Sequence, residues 1–99
     1  MPELRAFIDA LDADLIEMLA IRARCMDRAT ELKPALGWPA RIDSRVEEVV
    51  ANVRQEAKRH NLDDVLIEVL WRQLIEWSIA REQRVLGNAE DLVESGMHH

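Results

Sequence analysis

The feature that most constrains this chain is a helical apolar stripe near its N-terminus, too long for the rest of the chain to cover. From Glu3 to about Lys33, residues such as Leu4, Phe7, Leu11, Leu15, Met18, Cys25, Ala29 and Leu32 recur at intervals of three and four, the spacing of a single helical face. Pro2 suits a helix start. Pro34 disfavours helix in the residue before it, which predicts a break there and a loop from Pro34 to Pro39 around Gly37. A helix of about 30 residues is roughly 45 Å long, more than a globule of 99 residues needs. A second copy laying its own long helix alongside would cover the stripe, so the first helix predicts a dimer.

The remaining elements are also helical. Asp43 or Ser44 is expected to cap a second helix with the stripe Val46, Val49, Val50, Val53 and Ala57, and Asn61 to end it. Asp63 is expected to cap a third helix carrying Ile67, Trp71, Leu74, Ile75, Ile79 and Val85 and ending near Gly87-Asn88. The predicted fold is all-α: three helices per chain, one long and two shorter, in an intertwined helical homodimer. Residues 1–88 form the helical domain. Residues 89–99 form a polar, frayed tail whose Met97-His98-His99 end reads as the remnant of a tag.

Composition narrows the functions open to such a bundle. Thirteen basic residues against nineteen acidic give a net charge of −6, which argues against nucleic-acid binding, since phosphate contacts need a basic face. No apolar run approaches the roughly 20 residues of a membrane-spanning helix, and no secretory leader is evident. The single cysteine, Cys25, excludes an internal disulfide and suits the cytoplasm. His60 stands without ligands at metal spacing, and there is no glycine-rich phosphate loop or nucleophile elbow. Neither a metal nor a cofactor is expected.

Polar side chains inside the apolar stripes carry the functional signal. At 100° per residue Arg22 falls in the centre of the first helix's apolar face. Lys33 lies about 20° from it around the axis and about 16 Å along it, so the two cations share a face and can grip one small anion. Arg5 sits at the edge of that face. Ser78 and Glu82 are i, i+4 neighbours in the stripe of the third helix, and Arg45 opens the second helix beside its apolar face. Each has a plain structural reading: Arg22 or Glu82 as an inter-helix salt-bridge partner, Ser78 bonded back to the carbonyl four residues earlier. Together, several cations with one carboxyl and one hydroxyl in an apolar setting fit a dicarboxylate ligand better than a stable core, because buried charge is costly unless paired.

The run from Leu4 to Ile16, continued through Leu19-Ala20-Ile21-Arg22 to Lys33, resembles the opening of the all-helical chorismate mutases. Asp43-Ser44-Arg45 resembles the start of their second helix, and Trp77-Ser78-Ile79-Ala80-Arg81-Glu82-Gln83 the active-site turn of their third. The resemblance spans Leu4 to about Leu86 and rests on Arg5, Arg22, Lys33, Arg45 and Ser78 recurring in order. It implies a dimer with two equivalent sites in which Arg22, and Arg5 from the other subunit, bind the substrate carboxylates. Lys33 would hydrogen-bond the ether oxygen and a carboxylate, with Arg45 near the ring end and Ser78 near the ring carboxylate. Glu82 would also face the ether oxygen, a position many bacterial members fill with Gln. The implied catalytic residues are thus Lys33, Glu82 and Arg22, and the implied reaction is chorismate to prephenate.

Three departures from that pattern matter, one being Pro34 directly after Lys33, where the expected helix break would shift Lys33 from the position its spacing gives. Glu82 can donate to an ether oxygen only when protonated, so activity is expected to decline as pH rises. Val46 stands where many mutases have a Glu that accepts from the ring hydroxyl. This leaves isochorismate or 4-amino-4-deoxychorismate open as substrate, and an isochorismate pyruvate lyase as the rival enzyme. A non-catalytic helical dimerisation module is the alternative from another class.

Overall fold

The computed structural model describes residues 1–98, with side chains described for residues 1–85. The fold has three helices in chain order: α1 Pro2–Leu36, α2 Asp43–Arg59 and α3 Asp64–His98. No strand occurs among the described residues, and no helix is long and apolar enough to cross a membrane. Helices α1 and α3 each have 35 residues and α2 has 17, which corrects the expectation of one long helix and two shorter ones. The third helix passes through Gly87-Asn88 instead of stopping there. A single glycine inside a helix costs only about 1 kcal/mol relative to alanine, too little to end one followed by Ala89, Glu90 and Leu92. The side chains of the tail, with its tag-like end, lie outside the described residues.

The first helix also runs past its predicted break. Pro34 lies inside α1, where its missing N–H forfeits one helical hydrogen bond. The loss falls in the last turn, and the cap that follows compensates. Gly37 adopts the left-handed conformation (φ 71°), its N–H donates to the Pro34 carbonyl (3.1 Å), and the Trp38 N–H donates to the Lys33 carbonyl (2.9 Å). These are the paired bonds of a Schellman ending. Lys33 is therefore held in helical register.

At the other junctions, α2 begins from Ile42 in extended backbone with no side-chain cap, so Asp43 sits in the first turn as a favourable negative charge and neither Asp43 nor Ser44 caps. Asn61 is left-handed (φ 55°) just beyond α2. Asp63 caps α3 as expected, its Oδ1 accepting from the backbone N–H of Val65 (2.9 Å) and Leu66 (3.3 Å).

Helices α2 and α3 form an antiparallel hairpin around Val46, Val50, Ile75 and Ile79, closed at one end by Ala40. Its surface carries charge pairs: Arg54 to Asp64 (2.6 Å) and Glu68 (3.1 Å), Arg72 to Glu47 (3.0 Å) and Glu68 (2.8 Å). The hydrogen bond from Arg54 holds the Asp64 carboxyl below its ordinary range, and Arg72 does the same for Glu47. Whatever stability these carboxylates add is present above their unfolded pKa and lost as pH falls through the lowered folded value; exposed as they are, that amount is small.

Helix α1 packs only on α3, along its second half. Every residue from Met1 to Ile21 is exposed, including Phe7 at 62% and Leu15 at 60%. The molecule measures 64 × 30 × 19 Å with a radius of gyration of 17.9 Å, against about 13 Å for a self-contained chain of this length.

Nothing lies within 4 Å of a Cβ built on Gly37, so a side chain there meets only backbone strain. Gly37→Ala is expected to lower stability by about 1 kcal/mol, measured by urea denaturation at fixed protein concentration.

Candidate active site

Functional side chains gather where the second half of α1 meets α3. Arg81 donates to Asp27 across the two helices (3.0 Å), and Lys33 Nζ donates to Glu82 Oε2 (2.7 Å). Both pairings advance along both chains together, so α1 and α3 run parallel. Between them opens a groove of about 440 Å³ lined by Ile16, Leu19, Arg22, Leu74, Trp77 and Ser78, with Ala20 and Ala23 at its floor. That size is ordinary for a small-molecule pocket.

Arg22 enters the groove from α1. It is half-buried, and burial pulls its guanidinium below the usual arginine value. No carboxylate lies within 4 Å of it among the described residues, although the other buried or half-buried cations of the chain have such partners. Ser78 faces it from α3. Its Oγ is buried and has no hydrogen-bond partner among the described residues, so the expected back-bond to Leu74 is not made. The contrast with Thr30 is direct: the Thr30 Oγ1 donates to the Met26 carbonyl four residues earlier (2.9 Å). An unpaired cation and an unpaired hydroxyl line the same groove, and their chemistry is that of donors to an anion that accepts hydrogen bonds.

One turn beyond Ser78 on α3, Glu82 is 4% exposed. Lys33 Nζ donates to it and to the Ala40 carbonyl (2.9 Å), so the ammonium is held between α1 and α3 by two fixed acceptors. An ammonium has three N–H donors; these contacts occupy two. The structure thus brings Arg22 to Ser78 and Lys33 to Glu82. It does not bring in Arg5, which is exposed on the free half of α1, or Arg45, which is exposed and donates to Glu48 on its own helix (2.7 Å).

Three contributors escaped the sequence reading. Trp77, taken there as packing, is half-exposed and forms a groove wall. The Arg81 guanidinium lies over its ring at 5.4 Å, a cation–π contact that the i, i+4 spacing foreshadows. The Ala40 carbonyl belongs to a loop and leaves no mark in composition or periodicity. Val46, read as the missing ring-hydroxyl acceptor, is part of the α2–α3 core.

A helical scaffold with fixed cationic donors between two helices suits an enzyme that works by orientation and electrostatics. Residues 4–83 match the family model described as chorismate mutase type II, and the chain belongs to that family. A curated chorismate mutase from Methanocaldococcus jannaschii is 25% identical over 91 residues, covering 92% of each chain. No solved structure matches it. The activity is accordingly that of a chorismate mutase, an isomerase.

A hydroxyl buried without a partner costs about 1–3 kcal/mol. Ser78→Ala is therefore expected to keep or raise the melting temperature while weakening chorismate turnover. Thermal denaturation alongside a prephenate assay checks both halves; a loss of stability with unchanged turnover would make Ser78 a structural residue.

Proposed function

We propose that this chain converts chorismate to prephenate by a concerted [3,3] shift at a site built on Arg22, Lys33, Ser78 and Glu82 of one copy and completed by Arg5 of a second. The observation that carries the reading is the unpaired Arg22 guanidinium facing the unpaired Ser78 hydroxyl across one groove. In free protein both are destabilising; bound to a dicarboxylate, both are satisfied.

The rearrangement needs neither proton abstraction nor a covalent intermediate. The protein's task is to hold the enolpyruvyl arm over the ring and to stabilise charge growing on the breaking ether oxygen. Arg22 and Ser78 anchor carboxylates and supply the orientation. Lys33 directs its third donor at the ether oxygen. With Glu82 and the Ala40 carbonyl already holding the ammonium, little reorganisation accompanies the transition state. Glu82 accepts from Lys33 and so fixes the direction of its remaining donor. Arg45 is assigned to the ring end, exchanging its Glu48 contact for the substrate.

Arg5 precedes Arg22 by seventeen residues, about 25 Å along a helix, so it cannot serve the site of its own chain. The bare apolar half of α1 supports an intertwined homodimer in which that half crosses onto the partner and delivers Arg5 there. The single cysteine, free in the structure, supports a cytoplasmic setting.

Two experiments test this reading. Arg5→Ala and Arg22→Ala are each expected to lose activity as homodimers. Unfolded together in equal amounts and refolded, they regain about a quarter of wild-type activity, since half the dimers are mixed and each mixed dimer has one intact site. No regain on mixing means that Arg5 acts within its own chain or not at all. The same chromatographic assay with isochorismate, scored for salicylate and pyruvate, separates mutase from lyase.

A further inference from the structure

Lys33 is held by two acceptors of different character. Glu82 sits on α3, where the helix fixes it. The Ala40 carbonyl sits in the connection between α1 and α2, and no backbone hydrogen bond holds residues 39 to 41. Among the described residues, three attachments that involve side chains fasten that segment. The Ala40 methyl packs into the core beside Val46 and Ile79, the Ala40 carbonyl accepts from Lys33, and Arg41 donates to Glu76 on α3, with Asp43 at 3.5 Å. The hydrogen bond to Glu76 raises the Arg41 guanidinium above its ordinary value.

We propose that Arg41 is a positioning residue for the active site: clamped to Glu76 of α3, it holds the α1–α2 loop so that the Ala40 carbonyl locks the Lys33 ammonium in its working orientation. The proposal rests on the assignment of Lys33 to the ether oxygen. Arg41 itself stands outside the groove and touches no substrate. The clamp sits on the face of α3 one residue from the core residue Ile75 and one from the groove wall Trp77, so it ties the loop to the element that carries Ser78 and Glu82. Charges at both ends are partly exposed, at 39% and 58%, which makes the clamp weak and the ordered loop only modestly favoured.

A weak clamp has a specific kinetic signature. Substrate binds the ordered loop, so releasing the clamp reduces the competent fraction and raises the apparent binding constant by the same factor. Once substrate is bound, Lys33 is ordered by it, and the chemical step proceeds as before. Arg41→Gln is expected to raise KM for chorismate about two- to fivefold, the range of an exposed ion pair, with kcat within twofold. Glu76→Gln is expected to do the same, and the double variant to add nothing to either single change. A fall in kcat at unchanged KM, an unchanged KM, or independent effects of the two substitutions would each overturn the clamp.

A control separates this proposal from the site assignment beneath it. Replacing Lys33 and Glu82 together by Met removes both buried partners at similar volume, which avoids stranding one charge. With Lys33 in the site, this double variant folds, as read by circular dichroism, and has no turnover. Retained turnover refutes the assignment and the clamp together. Lost turnover with wild-type KM in Arg41→Gln refutes the clamp alone.

Discussion

The contact on which the arrangement depends is the buried pair between Lys33 and Glu82. It joins the last turns of α1 to α3, and through the Ala40 carbonyl it also fastens the loop leading into α2. Such a pair gains little net stability, because taking both charges out of water offsets much of their attraction. What it secures is register. An ammonium satisfied by one carboxylate and one carbonyl has a single orientation, and α1 can slide along α3 only by stranding both groups. The Schellman ending at Gly37 serves the same end from the backbone side, since its bonds close on the carbonyls of Lys33 and Pro34.

With α1 fixed to the hairpin by its second half alone, its first half becomes the other governing constraint. Among the described residues, Leu4, Phe7, Leu11 and Leu15 lie exposed on the part of α1 that precedes the groove. Burying each such side chain fully would contribute about 1.5–3 kcal/mol. A contiguous apolar face of this length on a lone soluble chain is an interaction surface or an aggregation hazard. The same geometry carries Arg5 beyond reach of its own groove, so the proposed second copy would cover the exposed stripe and receive the remote cation at once.

Much of this was legible in the sequence because helices write their faces into periodicity. The number of helices, the shared face of Arg22 and Lys33 and the shared face of Ser78 and Glu82 follow from spacing by threes and fours, the cap at Asp63 from its residue type, and the joining of those four side chains in one site from the family resemblance. Two boundaries were not legible. Pro34 and Gly87 are breakers by local sterics, yet the glycine costs only about 1 kcal/mol, and the proline, at about 3 kcal/mol in a helix interior, falls in the last turn, where the Gly37 ending closes the helix. The polar character of Ser78 was visible in the sequence, but not its lack of a partner; whether a hydroxyl bonds back to its own helix depends on its rotamer, which spacing does not encode. The Ala40 carbonyl and the Arg41–Glu76 clamp depend on where an irregular loop lands, and loops obey no period.

On the proposed assignment of roles, the polar groups of the site divide into two kinds, and the division follows the chemistry. Lys33 and Glu82 satisfy each other, so they are in place before substrate arrives and lose nothing to reorganisation. Arg22 and Ser78 are left unsatisfied, a standing cost to the folded chain that an anionic substrate removes on binding. Groups that recognise the substrate therefore benefit from being unpaired in the free protein, since part of their binding energy is relief of that cost. The group facing the ether oxygen benefits from being paired, since its value lies in not moving. A reaction that requires only a held conformer and a fixed donor needs both kinds and no others, and a groove between two parallel helices supplies them from residues at intervals of four on α3 and eleven on α1.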